Sequence, residues 1–262
     1  MKLKIIQNIL LNNYLKHLDK NLKKAFEILT DAELSTPTFS FYTSVASVFS
    51  SKIEGENIEL DSYIKHKRDR LPFSPDYTKK IDDLYNAYTF AKENDFNKKN
   101  IEKAHQLLSK HLVVKEWQGK LRTQNMYVAT EDGRIEYVAA SPFELPAEIE
   151  KFYQDITTLQ LEKLSIEETF YYASMIHLVF VKIHPWNDGN GRCARLLEKW
   201  FLARKIGEKA WFIESERHYY QQHKTYYKNI RALGLEYENL DYSKALPFLL
   251  MLQQAVFKIN FK

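Results

Sequence analysis

Apolar side chains recur every four residues at Ile6, Leu10, Tyr14, Leu18, Leu22 and Phe26. That spacing predicts an amphipathic helix over 3–29. A second stripe, Phe41, Val45 and Val48, follows Pro37. Proline suits a first helical turn, so a helix is expected from about 38 to 54, stopped by Gly55 as a C-terminal cap. A short helix near 60–66 comes next. Arg68–Pro75, with two prolines, reads as a linker. Ile81, Leu84, Tyr88 and Ala91 mark one further helix, and Ile101, Ala104, Leu108 and Leu112 another. The pattern changes at 121–140. Aromatic and β-branched residues flank Thr130-Glu-Asp-Gly133, which predicts a β-hairpin. Ser165-Ile-Glu-Glu168 is a capping box, and the run after it, Phe170 to Ile183, is apolar on nearly every side. Such a helix belongs in a core. Helices are expected again at about 190–205, 216–232 and 243–257.

Composition sharpens this picture. The chain has 262 residues, 45% hydrophobic and 27% charged, ordinary values for a folded domain. Seven glycines and seven prolines are few, and the stretches 76–141, 147–184 and 186–246 hold no proline, which favours helices. The net charge of +4 is too mild to argue for a nucleic-acid or membrane partner. Cys193 is the single cysteine, which excludes an intrachain disulfide and a cysteine-rich metal site. The N-terminus lacks the apolar middle of a signal peptide, and no apolar run reaches membrane-spanning length. A cytoplasmic protein is expected. Lys65-His-Lys-Arg-Asp-Arg70 reads as a solvated helix end rather than a nucleic-acid signal. His66, His105, His111 and His177 lack metal-site spacing.

The chemistry concentrates in His184-Pro-Trp-Asn-Asp-Gly-Asn-Gly-Arg-Cys-Ala-Arg195. Gly189 and Gly191 let backbone N–H groups converge, and a helix begins at once, whose N-terminus attracts anions. Arg192 and Arg195 share a helix face, and two guanidinium groups beside an anion loop suggest a polyphosphate. Asp188 supplies a carboxylate for a divalent ion. His184 supplies a base. A Walker A loop is excluded because no Gly-Lys-Ser/Thr is present, and no Gly-x-Gly-x-x-Gly follows a strand. Upstream, Ser50 and Glu54 of Ser50-Ser-Lys-Ile-Glu-Gly55 lie at i, i+4 on one helix face. A carboxylate at a helix C-terminus is unfavourable and needs a partner such as an arginine.

The downstream segment closely resembles the Fic family signature, His-Pro-Phe-x-Asp/Glu-Gly-Asn-Gly-Arg-x-x-Arg, with Trp186 in place of the usual phenylalanine. The resemblance implies an all-α Fic-type bundle with one β-hairpin flap at 121–140. It covers roughly 40–260. A region 1–70 would carry the inhibitory helix, about 38–54, and 76–262 the Fic core, with the signature loop at 184–195. Fic proteins mostly transfer AMP from ATP to a protein hydroxyl. By resemblance His184 is the general base, Asp188 holds Mg2+, Gly189, Asn190 and Gly191 cradle phosphates, and Arg192 and Arg195 bind the outer phosphates. Ser50, Glu54 and Gly55 match the family's inhibitory motif, so Glu54 is expected to pair with Arg195. Tyr226 and Tyr227 match a Tyr-Tyr pair near the family's adenine pocket, while Gln222-His223 departs from the usual Asn-Arg. The implied partners are ATP and a target protein held by the flap, with self-modification possible. Three alternatives stay open: AMP removal, transfer of another phosphate-containing group, and a nucleotide-sensing module without turnover. One tension is local. A helix C-terminus raises a histidine's pKa, and a base at His184 must be neutral.

Overall fold

A computed structural model describes residues 1–73, 75–129, 133 and 135–257. Its centre is the apolar run after the capping box. Ser165 Oγ accepts from Glu168 N–H, and the Glu168 carboxylate accepts from Ser165 N–H, at 3.1 and 2.8 Å. That reciprocal cap starts a helix buried along almost its whole length, Ile166–Ile183. In chain order the helices are α1 (Leu11–His17), α2 (Leu22–Glu27), α3 (Phe41–Ile53), α4 (Leu60–Asp69), α5 (Pro75–Glu93) and α6 (Lys98–Leu108). Strands β1 (Tyr127–Ala129) and β2 (Ile135–Val138) follow. Then come α7 (Leu145–Leu161), α8 (Ile166–Ile183), α9 (Asn190–Ile206), α10 (Ser215–Gln221), α11 (His223–Arg231), α12 (Leu246–Leu249) and α13 (Met251–Phe257). The architecture is all-α with one β-hairpin.

Helix α9 packs along α8, and α1, α2, α7, α12 and α13 also lie against α8. One core joins Ile6, Tyr14 and Phe26 to Phe152, Phe180, Trp186 and Trp200. Helix α3 sits between α5 and α10. Its start is fixed by Ser40, whose Oγ accepts from Thr43 N–H and from Lys92 Nζ. Its end is fixed by His223, whose Nε2–H donates to the Ile53 carbonyl at 3.3 Å. Gly55 follows with φ of +87°, a left-handed value that ends the helix.

Several element boundaries differ from the sequence expectation. The span 3–29 is two short helices, not one. The Asp155 carboxylate takes the N–H groups of Lys4, Ile5 and Ile6 at 2.7–2.8 Å, which holds that stretch out of a helix. Asp19 accepts from Asn21 N–H at 2.8 Å, a local bond that competes with helix continuation. The apolar stripe still faces the core: Ile6, Tyr14, Leu22 and Phe26 are buried. Pro37 lies in a turn closed between Thr36 and Phe39, and Ser40 caps α3 instead. Helix α4 runs on to Asp69, so the expected linker begins inside it; Ser74 lies outside the described residues. The expected 216–232 helix breaks at Gln222 into α10 and α11. The expected 243–257 helix becomes a 3-10 turn, Tyr242–Lys244, followed by α12 and α13. Helix α7 was not expected, although Leu145, Ile149, Phe152, Ile156 and Leu159 have helical spacing and are buried.

Strands β1 and β2 pair antiparallel, with Tyr127 opposite Val138 and Val128 opposite Tyr137. The register shifts between Val128 and Ala129. The expected Asp-Gly turn falls on Thr130–Asp132, outside the described residues, with Gly133 at φ +78°. The second edge of β2 is tied down, because Val138 N–H donates to the Leu235 carbonyl at 2.8 Å.

Candidate active site

The loop between α8 and α9 is built by its own side chains. His184 ends α8 with φ 53° and ψ 61°, a left-handed turn in a non-glycine residue that redirects the chain. Trp186 is fully buried and stacks on His105 with ring centroids 4.5 Å apart. Trp186 N–H donates to Asn190 Oδ1 at 2.9 Å, and Asn190 Nδ2 donates back to the Trp186 carbonyl at 2.8 Å. The Asn190 side chain therefore closes the loop from inside and does not face solvent. His105 Nε2–H donates to the Asp188 carbonyl, and its Nδ1 accepts from Gly119 N–H, both at 2.9 Å. Burial lowers the His105 pKa to about 4, so its ring holds the loop as neutral imidazole. Gly189, at φ +79°, lies against Leu108, which a β-carbon there would strike.

Among the described residues, this geometry leaves the first turn of α9 with unbonded donors. The helix begins at Asn190 and its first intrahelical bond is Cys193 N–H to the Gly189 carbonyl. The N–H groups of Asn190, Gly191 and Arg192 precede that bond, as at any helix N-terminus, and can face an anion. Asp188 is exposed, with Oδ1 accepting from Gly189 N–H at 2.6 Å. Among the described residues no group of three His, Cys, Asp or Glu side chains is poised around one point. Asp188 alone matches the usual Mg2+ arrangement, in which one or two carboxylates share the ion with substrate phosphates and water. The donor set thus fits that ion with a polyphosphate and not a metal bound by protein alone.

His184 is placed by atoms of both α8 and the hairpin. Its Nδ1 lies 3.2 Å from the Val181 carbonyl and 3.1 Å from the Tyr137 hydroxyl. A carbonyl oxygen can only accept, so that contact favours the proton on Nδ1, the tautomer that leaves Nε2 with its lone pair. Burial lowers the His184 pKa to about 4; Arg122 adds to this, and the Val181 carbonyl and Glu54 oppose it. Desolvation therefore overrides the helix C-terminus, and the ring is neutral at pH 7. Arg122 is almost completely buried. It donates to the His184 carbonyl at 2.7 Å, to the Ile183 carbonyl at 3.3 Å, to the Gln124 carbonyl at 2.7 Å and to the Ala140 carbonyl. A cation at the C-terminal end of α8 suits the helix dipole and joins α8 to the base of the hairpin.

The other end of the site belongs to Arg195, which is fully buried. Its Nε donates to Ser50 Oγ at 2.8 Å, and Nη2 donates to the Ser50 carbonyl at 3.0 Å and to Glu54 Oε1 at 2.6 Å. Nη1 donates to the Tyr226 hydroxyl at 3.4 Å. Tyr226 continues inward to His177 Nε2 at 2.9 Å, and His177 Nδ1–H donates to Glu198 at 2.9 Å. The Glu54 carboxylate also lies directly over Gly191, so that a methyl group on that glycine would collide with it. Burial pushes the Glu54 pKa up, but Arg195 and Arg192 outweigh it and the carboxyl titrates below its ordinary value. Arg192 faces Glu56 at 3.5 Å, and Glu56 also pairs with Lys80 at 2.7 Å.

The structure thus brings His184, Asp188, the 189–191 backbone, Arg192 and Arg195 together, with Ser50 and Glu54 pressed onto them. Tyr226 is buried beneath Arg195. Its ring packs on Tyr219 and Phe248, and its hydroxyl is pushed up to about 12 by burial. Tyr227 is partly exposed and meets the His223 ring edge-on at 4.9 Å. Four residues of the site were missed by sequence reasoning: His105, Arg122, Tyr137 and Glu56. Glu56, two places after Glu54, was the one with a legible signal. The others gather from distant segments and carry no local pattern.

Comparison with known proteins agrees with this geometry. A family model described as Fic/DOC family matches residues 95–202. No curated protein matches the sequence. Among solved structures, a Fic family protein from Desulfovibrio desulfuricans G20 superposes with a TM-score of 0.70 at 18% identity, over 99% of this chain and 75% of that one. A Fic domain containing signaling protein from Bacteroides thetaiotaomicron gives 0.66 at 18% identity, over 97% and 93%. A fragment of Fic-1 from C. elegans gives 0.64 at 16% identity, over 95% and 69%. Among the described residues no helix is long and apolar enough to cross a membrane.

Proposed function

Because the chain carries a Fic/DOC family domain, we propose that it transfers AMP from ATP to a Ser, Thr or Tyr hydroxyl of a target protein and is held inactive by Glu54. The observation that carries this reading is the Glu54–Arg195 pair at 2.6 Å, set against the first turn of α9. An acid sits where the signature arginines and helix N-terminus favour a phosphate.

The residues present support this chemistry. His184 Nε2 takes the proton of the target hydroxyl, and the freed oxygen attacks the α-phosphorus of ATP. The bond to the bridging oxygen breaks, and pyrophosphate leaves with its electron pair. The N–H groups at the start of α9 and the guanidinium groups of Arg192 and Arg195 face the developing charge. Mg2+, held by Asp188 and the phosphates, would add positive charge beside the leaving group. Trp186, His105 and Asn190 keep the loop in shape without touching substrate. The hairpin would hold the target segment by strand addition.

Glu54 opposes this in two ways. It occupies the Arg195 donor that an outer phosphate needs, and it adds negative charge beside a polyphosphate. A small misplacement of the α-phosphate is costly, since about 1 Å can cost roughly 100-fold in rate. The test is an intact-mass measurement after incubating the Glu54→Gly variant with ATP and Mg2+. Gain of one AMP, on the protein itself or on an added target, is expected. A mass that never changes, with nucleotide shown to be bound, would leave the nucleotide-sensing module as the better reading.

A further inference from the structure

Tyr137 sits on the inner strand of the hairpin, opposite Val128, yet its side chain belongs to the catalytic end of the site. The residue is buried. Its ring meets the His184 ring edge-on with centroids 5.9 Å apart, and its hydroxyl lies 3.1 Å from His184 Nδ1. The ring is also held by Lys182, whose Nζ lies 4.4 Å from the ring centroid, a cation–π contact. The strand is pinned on both sides of Tyr137. Glu136 forms an ion pair with Arg231 of α11, and Val138 N–H donates to the Leu235 carbonyl. A phenol in a mobile flap could not orient anything, and this one is fixed in place.

We propose that Tyr137 is a positioning residue for the reaction, holding the His184 imidazole in the tautomer that leaves Nε2 bare. The Nδ1–H is shared between the Val181 carbonyl and the Tyr137 oxygen. Neither acceptor alone fixes the plane of a ring attached by one rotatable bond; two acceptors from different segments do. When Nε2 takes the proton of the target hydroxyl, the ring becomes a cation and the Nδ1–H bonds strengthen. The Tyr137 oxygen then stabilises the imidazolium that forms. No proton passes to Tyr137, whose hydroxyl stays neutral throughout. A further consequence joins binding to chemistry: a target strand docked on the hairpin would add to β1, whose paired neighbour β2 carries Tyr137.

The inference rests on His184 being the base, and the test separates the two claims. The primary readout is the nitrogen-15 shift of the His184 ring in the full chain, wild type against Tyr137→Phe, which needs no turnover. Phenylalanine keeps the ring, the packing and the Lys182 contact and removes only the oxygen. The wild type should show Nδ1 protonated and Nε2 bare, and Tyr137→Phe should show a mixture of tautomers. An identical tautomer population in both would overturn the proposal. The second readout is transfer by Glu54→Gly against Glu54→Gly/Tyr137→Phe. The maximal rate should fall roughly ten- to a hundredfold, as for loss of one hydrogen bond to a charged group, with nucleotide affinity unchanged. An unchanged maximal rate, or a loss confined to nucleotide affinity, would equally overturn it. If Glu54→Gly itself transfers nothing, the functional reading fails, and the tautomer measurement still decides the role of Tyr137.

Discussion

At one end of the site His184 presents Nε2 with no hydrogen bond to it among the described residues, on a neutral ring fixed through Nδ1. At the other end, every donor nitrogen of Arg195 has an acceptor: Ser50 Oγ, the Ser50 carbonyl, Glu54 and Tyr226. On the proposed reading, the proton-accepting nitrogen is open and the guanidinium meant for phosphate is already paired. The contrast then means that the site needs no assembly before it works, only the departure of one carboxylate. The holding segment is itself docked firmly, with α3 capped by Ser40 at one end and by His223 at the other.

The largest expected effect breaks the free end. His184→Ala, built on Glu54→Gly, should lower transfer by about 10²–10⁴-fold, the usual contribution of a general base, while nucleotide binding survives. A variant keeping most of the parent rate would remove His184 from the mechanism. At the filled end, Glu54→Gly should raise transfer by roughly 100-fold. Arg195→Ala should not mimic it, because the phosphate loses its partner together with the inhibitor. It should also lower the unfolding midpoint, since it strands the Glu54 carboxylate and the buried Ser50 hydroxyl.

Acid should separate the two ends. Unfolded histidine titrates near 6.5, whereas folded His184 and His105 hold out to about 4. Between those values the unfolded state binds more protons, so stability falls as pH falls. The slope is at most about 1.4 kcal/mol per pH unit for each histidine. Glu54, titrating below its ordinary range, keeps its contribution above the unfolded glutamate value and loses it only as pH falls through its lowered pKa. Urea unfolding at pH 7 and pH 5 checks this. Replacing His105 with Asn should flatten part of the slope, and equal stability at both pH values would contradict the buried neutral rings. The smallest effect concerns Glu56, which faces Arg192 at 3.5 Å and is shared with Lys80. On the Glu54→Gly background, Glu56→Gln should tighten nucleotide binding by no more than about fivefold, within the range of a partly exposed ion pair. Titration calorimetry reads it directly, and no change would show that Glu56 serves only Lys80.

The two ends were not equally legible in the sequence. The signature loop announced itself because its chemistry is local: His184, Asp188, two glycines and two arginines fall within twelve consecutive residues. Glu54 was legible through a short motif and the cost of a carboxylate at a helix end. What fixes the His184 ring was not. Tyr137, Arg122 and the Val181 carbonyl reach His184 from a strand, a loop and the preceding turn, and no periodicity links them. His105 looked like an isolated histidine because its partners are backbone groups 14 and 83 residues away. Among helices, α8 was readable from its capping box and apolar run. The N-terminal stripe was read correctly as a buried face and wrongly as one helix, since Asp155, remote in sequence, captures its first amides.

The most direct test of the account is self-modification with labelled ATP and Mg2+, wild type beside Glu54→Gly at equal protein concentration. A rate raised by roughly 100-fold in the variant, with both proteins equally folded, is the predicted result. Equal incorporation in the two would contradict the account and return Glu54 to the role of a glutamate before a helix-ending glycine.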